Sequence, residues 1–258
     1  MKQFYMKRKF WKEVKKFIPP KKSIRRPRAG SKKIMSALYY IFRTGIRWKA
    51  LPISLFRVSA STVHRRYQEW ISDGVFRNFW ISVLKKYQIK HSAMSFWLAT
   101  DTISVKSPLG GEDTGFNPTD RRKIGTKRSS IVDQNGIVFG AIIAPANTHD
   151  SKLLLPTLAS IPVGFSDNLK VFAADAAYDT KAIKKVLLSK NFIPLIAGNK
   201  RKSKEEKPKT SSRNRWIVER TQSHFNRWRS LLIRWNKKSE NYLAIVHFVA
   251  AFQILEFL

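Results

Sequence analysis

The sequence predicts an α/β fold in which a mixed β-sheet is flanked by helices and preceded by an all-helical domain. Apolar residues recur at helical spacing up to about residue 90, whereas strand-like runs alternate with helical ones beyond it. We therefore expect a basic N-terminal arm and helical domain over residues 1–90 and an α/β domain over residues 91–258. With 258 residues and 43% hydrophobic composition, the chain can bury a sizeable core.

Positive charge dominates the composition. The chain has 50 Lys and Arg against 17 Asp and Glu, a formal net charge of +33. Such a field attracts polyanions, above all nucleic acids. A ribosomal or nucleoid protein without catalytic activity would share this charge, but the apolar content suits an enzyme. Cysteine is absent, which excludes disulfides and thiolate zinc sites. No signal-like or membrane-length apolar segment is apparent, so a cytoplasmic, nucleoid-associated protein with no membrane partner is expected.

Three helices are expected between residues 31 and 90, after a basic, proline-interrupted stretch that is either a solvated tail or a DNA-contacting arm. Gly45 and Gly74 end the first two helices. The second helix places three polar side chains away from its apolar face: His64, Arg65 and Arg66. A helix, a turn and a helix with a basic outer face is typical of a helix-turn-helix DNA-binding module, although any three-helix packing gives the same pattern.

The second half of the chain alternates between strand and helix patterns. Strands are predicted at residues 96–104, 129–132, 137–143, 171–174 and 192–196. Helices are predicted at residues 150–159, 180–190, 213–235 and 242–257, with a lysine-rich loop over 198–212. Asn135 and Gly136 form a strong hairpin signal between the second and third strands. Three early strands followed by alternating helix and strand describe an RNase H-like mixed sheet.

Three acidic residues stand out in this acid-poor sequence. Asp101 and Asp175 each end an apolar strand-like run, and Glu219 lies in the late basic helix. Carboxylate oxygens suit hard cations such as Mg²⁺, and two ions about 3.5–4 Å apart suit in-line displacement at phosphorus. We expect the three side chains to converge on one cleft. Each also has a structural interpretation: Asp101 as a turn residue, Asp175 as an N-cap, and Glu219 as a surface partner of Arg215.

Other residues receive structural interpretations. Asp133 precedes the Asn-Gly turn and is expected to shape it. Asp120 is expected to order the basic loop around it, and Asp150 to cap the helix that follows. Of the tryptophans interleaved with basic residues near the C-terminus, Trp216 is expected in the core.

Five blocks of sequence run in a recognisable order. They include NPTDRRKIGTKR from residue 117, ANTHDS from residue 146, ADAAYD from residue 174 and RWIVERT from residue 215, after a helical block over 38–52. Together they resemble the bacterial insertion-sequence DDE transposases, in particular the insertion-sequence-five family. The resemblance implies an RNase H-like catalytic domain in which Asp101, Asp175 and Glu219 are the catalytic and metal-binding residues. Two Mg²⁺ ions are implied, for which Mn²⁺ can substitute.

The same resemblance implies a transposase that cuts and joins DNA at the ends of a mobile element. Its partners are then double-stranded DNA, both terminal inverted repeats and target, and further copies of the chain assembled on that DNA. Basic residues are expected to contact phosphates, which makes affinity salt-dependent. The expected contacts are His64, Arg65, Arg66, Arg121, Arg122, Lys123, Lys127, Arg128, Arg215, Arg220 and Arg227.

The sequence departs from the family pattern at a few basic positions. Related transposases often have Gly where Arg122 stands and Lys where Ala176 stands. These changes leave the three carboxylates intact. The alternative is a catalytically decayed transposase that acts only as a sequence-specific DNA-binding protein. A general RNase H-like nuclease is disfavoured by the N-terminal helical module.

Overall fold

A computed structural model describes residues 6–20, 28–91, 97–164, 170–197 and 210–258, with side chains of the last segment described from Trp216 onward. The N-terminal part is helical. Its α-helices are α1 (Arg8–Val14), α2 (Ser31–Thr44), α3 (Ile53–Phe56), α4 (Ala60–Ser72) and α5 (Val75–Lys90). Short 3₁₀ turns follow α1 and precede α3.

The remaining elements form a sheet with helices on both faces. They are β1 (Trp97–Lys106), β2 (Gly115–Phe116), β3 (Ile124–Asp133), β4 (Val138–Pro145), α6 (Asp150–Ala159), β5 (Lys170–Ala174), α7 (Lys181–Ser189), β6 (Phe192–Ile196), α8 (Thr210–Asn226), α9 (Arg229–Leu232) and α10 (Ser239–Phe257). Strand β3 pairs antiparallel with β1, β2 and β4, whereas β5 pairs parallel with β1 and β6. The RNase H-like mixed sheet with an N-terminal helical region is therefore confirmed.

Local sequence explains where the N-terminal helices begin and end. Gly45 and Gly74 adopt left-handed conformations with φ of 66° and 68°, which glycine reaches without steric cost. Ser59 accepts a hydrogen bond from the Thr62 backbone amide and so caps α4. These ends agree with the sequence prediction.

The basic N-terminal stretch is not simply a tail or an arm. Residues 8–14 form α1, whose Phe10 and Val14 are buried. The Phe10 ring packs edge-on against Phe79 and Phe248, with centroids 5.2 and 5.1 Å apart. The solvated-tail alternative is wrong for this segment, because two apolar residues one turn apart dock a short helix, whereas DNA contact by this segment stays a prediction. Residues 1–5 and 21–27 lie outside the described part of the chain.

The sheet has two different apolar faces. Leu98, Ile131 and Phe172 pack with α6 and α7 on one side. Ala99 and Ala173, their strand neighbours, belong to the cluster that contains α8, α10 and the N-terminal helices. This alternation is the period of two expected for side chains along a strand.

One apolar core joins the N-terminal helices to the sheet. Helix α10 is buried on nearly all sides and packs against α4, α5 and β4. The division near residue 90 stays a prediction, since residues 92–96 lie outside the described ranges and the core crosses the proposed boundary. Among the described residues, no helix is both long and apolar enough to cross a membrane.

Candidate active site

Asp101 and Asp175 stand level on neighbouring parallel strands. Asp101 lies inside β1 rather than at its end, and Asp175 directly follows β5. The parallel ladder ends at the pair Ala99 and Ala173, and Asp101 and Asp175 each follow that pair by two residues. Paired strands lie about 4.8 Å apart. The backbone thus places two aspartates that are 74 positions apart in the sequence just beyond the end of the same ladder.

Both aspartates lie on the side of the sheet that α8 covers. Asp101 shares its side of β1 with Ala99 and pairs across the ladder with Ser130. Gln222 on α8 donates a hydrogen bond of 2.7 Å from Nε2 to Ser130 Oγ. Glu219 lies three residues before Gln222, which places it on the same side of the helix. The helix that carries Glu219 therefore crosses the sheet beside Asp101.

The three carboxylates are not gathered into a ready metal site. Glu219 is exposed, whereas Ile217 and Val218 beside it are buried. No three His, Cys, Asp or Glu side chains of the described residues lie close enough together to hold a metal ion. The donor set itself suits Mg²⁺, because all three side chains offer hard carboxylate oxygens on adjoining elements. Three like charges repel one another, so closing the set requires a cation.

Each of the two aspartates accepts a hydrogen bond from the backbone amide of the next residue. Asp101 Oδ1 accepts from the Thr102 backbone amide at 2.8 Å. The Asp175 side chain accepts from the Ala176 amide and so caps a 3₁₀ turn over Ala176–Tyr178, as its structural interpretation anticipated. Burial, together with the negative charges of Asp150 and Asp101, raises the pKa of the Tyr178 phenol in this turn. Capping occupies one face of the Asp175 carboxylate and is compatible with a metal on the other.

Arg128 anchors α8 to β3 and is fully buried, with 0% exposure. Its guanidinium donates to Gln222 Oε1 at 2.9 and 2.7 Å, and to Asn226 Oδ1 at 3.1 Å. It also donates to the Tyr242 hydroxyl at 3.2 Å and lies 5.5 Å from the Phe225 ring. The expected DNA contact by Arg128 is therefore corrected: this cation is a structural link between sheet and helix.

Two other expected DNA contacts are engaged within the protein. Arg66 is only 8% exposed and pairs with Glu69 at 2.6 Å. Lys127 is half-buried and pairs with Asp150 Oδ1 at 2.7 Å, on the sheet face opposite Arg128. We correct both expectations, because neither charge faces solvent freely.

The remaining expected contacts keep an accessible position. The exposed members of the set are His64, Arg65, Arg121, Arg122, Lys123, Arg220 and Arg227. The Arg215 side chain lies outside the described residues, so its pairing with Glu219 stays a prediction. Loss of Arg66, Lys127 and Arg128 from the set leaves the basic surface concentrated on α4, on the loop before β3 and around α8.

The structure revises several other residues. Helix α6 is capped by His149, whose ring accepts from the Ser151 amide, so the N-cap prediction for Asp150 is wrong. Asp133 shapes the β3–β4 turn as predicted, because its Oδ1 accepts from the amides of Asn135 and Ile137 at 3.0 and 2.8 Å.

The expectation that Trp216 lies in the core is wrong. Its side chain is 52% exposed, and the Arg220 guanidinium lies 4.8 Å from its ring. The turn of α8 that carries Glu219 therefore presents an aromatic ring and a cation to solvent.

Comparison with known families decides the identity. A family profile described as "Transposase DDE domain" matches residues 99–252, which is more than half of the chain. The chain belongs to the DDE transposase family. A second profile, described as "Putative transposase of IS4/5 family", matches residues 6–80 of this transposase. The two matches cover the sheet with its carboxylates and the N-terminal helices, respectively.

Matches to individual proteins cover less of the chain. The "Putative transposase for insertion sequence element IS402" of Burkholderia cepacia is 33% identical over 137 residues, covering 51% of this transposase and 63% of the relative. The chain thus spans less than two thirds of that relative's length. The "Insertion element IS402 uncharacterized 16.2 kDa protein" of the same organism is 24% identical over 113 residues, covering 42% and 77%.

A solved structure, the "Crystal structure of the Mos1 Strand Transfer Complex", aligns with 93% of this chain and 79% of its own. Its TM-score is 0.33 and its sequence identity 11%. A score this low supports no inference.

Proposed function

We propose that this transposase binds the ends of an insertion sequence and catalyses metal-dependent DNA strand cleavage followed by strand transfer. Asp101, Asp175 and Glu219 act as the catalytic carboxylates. The observation that carries the proposal is the level placement of Asp101 and Asp175 on paired strands, on the face crossed by the helix of Glu219. Catalysis by three carboxylates requires these residues to lie close together in the fold, although they are far apart in the sequence.

The carboxylates would hold two Mg²⁺ ions, with Mn²⁺ able to substitute. When bound, such a pair activates a water and stabilises the leaving 3′ oxygen of a phosphodiester. The chain's own part is positioning: Gln222 fixes α8 against Ser130, and thereby sets where Glu219 stands relative to Asp101. The same carboxylates then serve strand transfer, in which the freed 3′ hydroxyl attacks target DNA.

The exposed basic side chains supply the DNA contacts. His64 and Arg65 on α4 are proposed to face the terminal inverted repeats, and Arg220 and Arg227 to hold phosphates near the carboxylates. Target DNA must approach the same cleft, so at least two duplex segments meet on the protein. A homo-oligomer on DNA is proposed because two element ends have to be joined.

Strand nicking by matched aspartate variants tests the proposal. The substrate is a supercoiled plasmid carrying the gene with its natural flanking DNA, incubated with Mg²⁺. Asp101→Asn is expected to abolish nicking. Asp150→Asn is the control, because Asp150 lies on the opposite face of the sheet, where it pairs with Lys127 and accepts from Thr102. Equal activity of the Asp101 variant and the unaltered protein would refute the assignment.

The decayed-transposase alternative predicts a different result. The open arrangement of the three carboxylates is the observation that favours it. In that case the unaltered protein binds end DNA yet nicks nothing with Mg²⁺ or Mn²⁺. The three acidic residues remain on the elements that the chemistry requires, which favours an active enzyme.

A further inference from the structure

A basic hairpin projects beyond the end of β1. Its strands are β2 and the start of β3, where Phe116 pairs directly with Ile124. Directly paired residues share one face of a hairpin. Both are exposed, Phe116 at 57% and Ile124 at 40%. An aromatic and a β-branched side chain thus form an exposed apolar pair beside a tip that carries three basic residues and one acidic residue, Asp120.

The tip of this hairpin holds two arginines in an unfavourable backbone conformation. Arg121 and Arg122 have φ of 49° and 58°, the left-handed region that favours glycine. Internal hydrogen bonds fix the tip: the Arg122 amide donates to Asn117 O at 3.0 Å, and the Asn117 amide donates to Lys123 O at 2.8 Å. Strain of this kind collects at functional sites.

The side chains of the tip and of the patch lie together. The Arg122 guanidinium sits 5.7 Å from the Phe116 ring. Arg121 and Lys123 are exposed beside it. Because the tip carries Arg121, Arg122 and Lys123, its partner is expected to be negatively charged. A nucleic acid matches both parts of this surface, because its phosphates suit the basic side chains and its stacked bases suit the apolar ones.

We propose that the hairpin over residues 115–125 is a DNA wedge. Arg121, Arg122 and Lys123 hold phosphates while Phe116 enters an unstacked base step. Apolar side chains inserted between bases are known to kink duplexes in this way, and aromatic rings stack on bases of any sequence. The inference rests on the proposed function, since it assumes that DNA occupies the carboxylate cleft.

The position of the wedge follows from the strand geometry. β1 continues five residues from Asp101 to Lys106, which pairs with Gly125 beside Ile124. Five strand residues span about 17 Å. The base of the hairpin therefore lies about 17 Å along the strand from Asp101. Unstacking there would bend the duplex next to the active site.

The first experiment compares two DNA probes with the full chain. One probe is a short intact duplex. The other is the same duplex with a central mismatch, which lowers the free-energy cost of unstacking the bases there. Unaltered protein is expected to bind the mismatched probe about tenfold more tightly. Phe116→Ala should reduce this preference to near one. A 2-aminopurine at the mismatch should brighten with unaltered protein and stay dim with the variant.

The second experiment tests whether the two arginines contact DNA. It compares the change in DNA affinity with the change in melting temperature. Replacing Arg121 and Arg122 together by Gly should raise the melting temperature, because the strain is relieved, and weaken DNA binding. The slope of log affinity against log salt should fall by about two. Asn191→Gly is the control: it also places glycine at a left-handed position, with φ of 59°, but removes no charge. It should leave DNA binding and its salt slope unchanged.

The outcomes test the wedge separately from the proposed function on which it rests. A mismatch preference that survives Phe116→Ala, or an unchanged salt slope in the double glycine variant, overturns the wedge. If the unaltered protein binds neither probe at low salt, the proposed function itself fails.

Discussion

Gln222 on α8 donates a 2.7 Å hydrogen bond to Ser130, the residue paired with Asp101 across the β1–β3 ladder. The same amide accepts two hydrogen bonds from the buried guanidinium of Arg128. One neutral side chain therefore ties the helix of Glu219 to the strand beside Asp101. The position of the helix of Glu219 relative to the strand of Asp101 is therefore held by a neutral side chain.

Gln222→Ala is expected to lower the free energy of unfolding by about 1–3 kcal/mol, because Arg128 stays buried while losing its main acceptor. Cleavage should fall further than DNA binding, since α8 loses its tie to β3. Urea unfolding measures the first effect. Gln68→Ala is the control, because the Gln68 amide donates to the neutral Asn241 side chain at 3.2 Å rather than accepting from a buried cation. Equal destabilisation by the two variants would contradict the anchoring role.

Glu219→Gln is expected to reduce Mg²⁺-dependent cleavage at least about a hundredfold while leaving DNA affinity within about twofold. It removes the charge of a proposed metal ligand, worth several kcal/mol in the transition state, but keeps the side chain's size. Single-turnover cleavage and fluorescence anisotropy measure the two quantities. Glu240→Gln on α10 is the matched control, since Glu240 is exposed and pairs with Lys238 at 3.4 Å. Cleavage at the normal rate would make Glu219 a surface residue only.

His247 should make stability depend on pH. Its imidazole is buried and stacks on Trp80, with ring centroids 4.7 Å apart. Burial, with the charge of Arg77 adding to it, lowers the pKa of His247 to about 3. The unfolded chain therefore takes up a proton near pH 6.5 that the folded chain refuses. The stability is complete above about pH 6.5 and is lost as pH falls toward 3, at about 1.4 kcal/mol per pH unit.

His247→Phe keeps the aromatic stacking and removes this titration. Between pH 6.5 and 5, the unaltered protein should lose about 2 kcal/mol more unfolding free energy than the variant. Urea unfolding at the two pH values provides the comparison, and other titrating groups cancel between the proteins. Parallel pH profiles for the His247 variant and the unaltered protein would rule out the effect.

Arg65→Ala should discriminate sequence recognition from general attraction. In the full chain, this variant is expected to lose about 1–3 kcal/mol of affinity for terminal-repeat DNA and much less for random DNA. Arg77→Ala removes the same charge from an exposed position on α5 and should weaken both DNAs alike. Competition binding at fixed salt supplies the numbers. If Arg65→Ala also weakens both DNAs equally, α4 contributes electrostatics alone.

The elements that depend on local pattern were predictable from the sequence. Strand β6 and helix α6 have the predicted bounds, because periodicity and flanking turn residues both mark them. The late basic helix was predicted as one element, but it breaks into α8 and α9 around Trp228. That indole is fully buried and packs edge-on against Tyr39, with centroids 5.3 Å apart. Tertiary packing overrides local propensity there.

The misassigned arginines share one cause. Charge was equated with exposure, although a guanidinium can be buried when enough oxygens accept from it. A signal was available for Arg128: the period of two places it on the same face as Ser130 and Val132, which is the core-facing side of β3. For Arg66 the signal was Glu69, three residues later on the same helix.

Asp101 separates what local pattern predicts from what it does not. The predicted strand over residues 96–104 already contains Asp101, and β1 extends to Lys106 because Ile103 and Val105 continue the alternation. The position of Asp101 relative to Asp175 depends on the parallel register with β5. That register is a long-range property, which a reading of local pattern does not supply.

The burial of α10 has a consequence for the chain as it is made. The N-terminal helices bury their apolar faces against α10, which comes last in sequence order. During synthesis those helices emerge first but cannot complete their packing until residues 239–257 have left the ribosome. The proposed recognition surface and the proposed catalytic sheet then complete their folding together, and a product truncated before Ser239 is expected to carry neither. Such a fragment is expected not to compete with the intact protein for DNA.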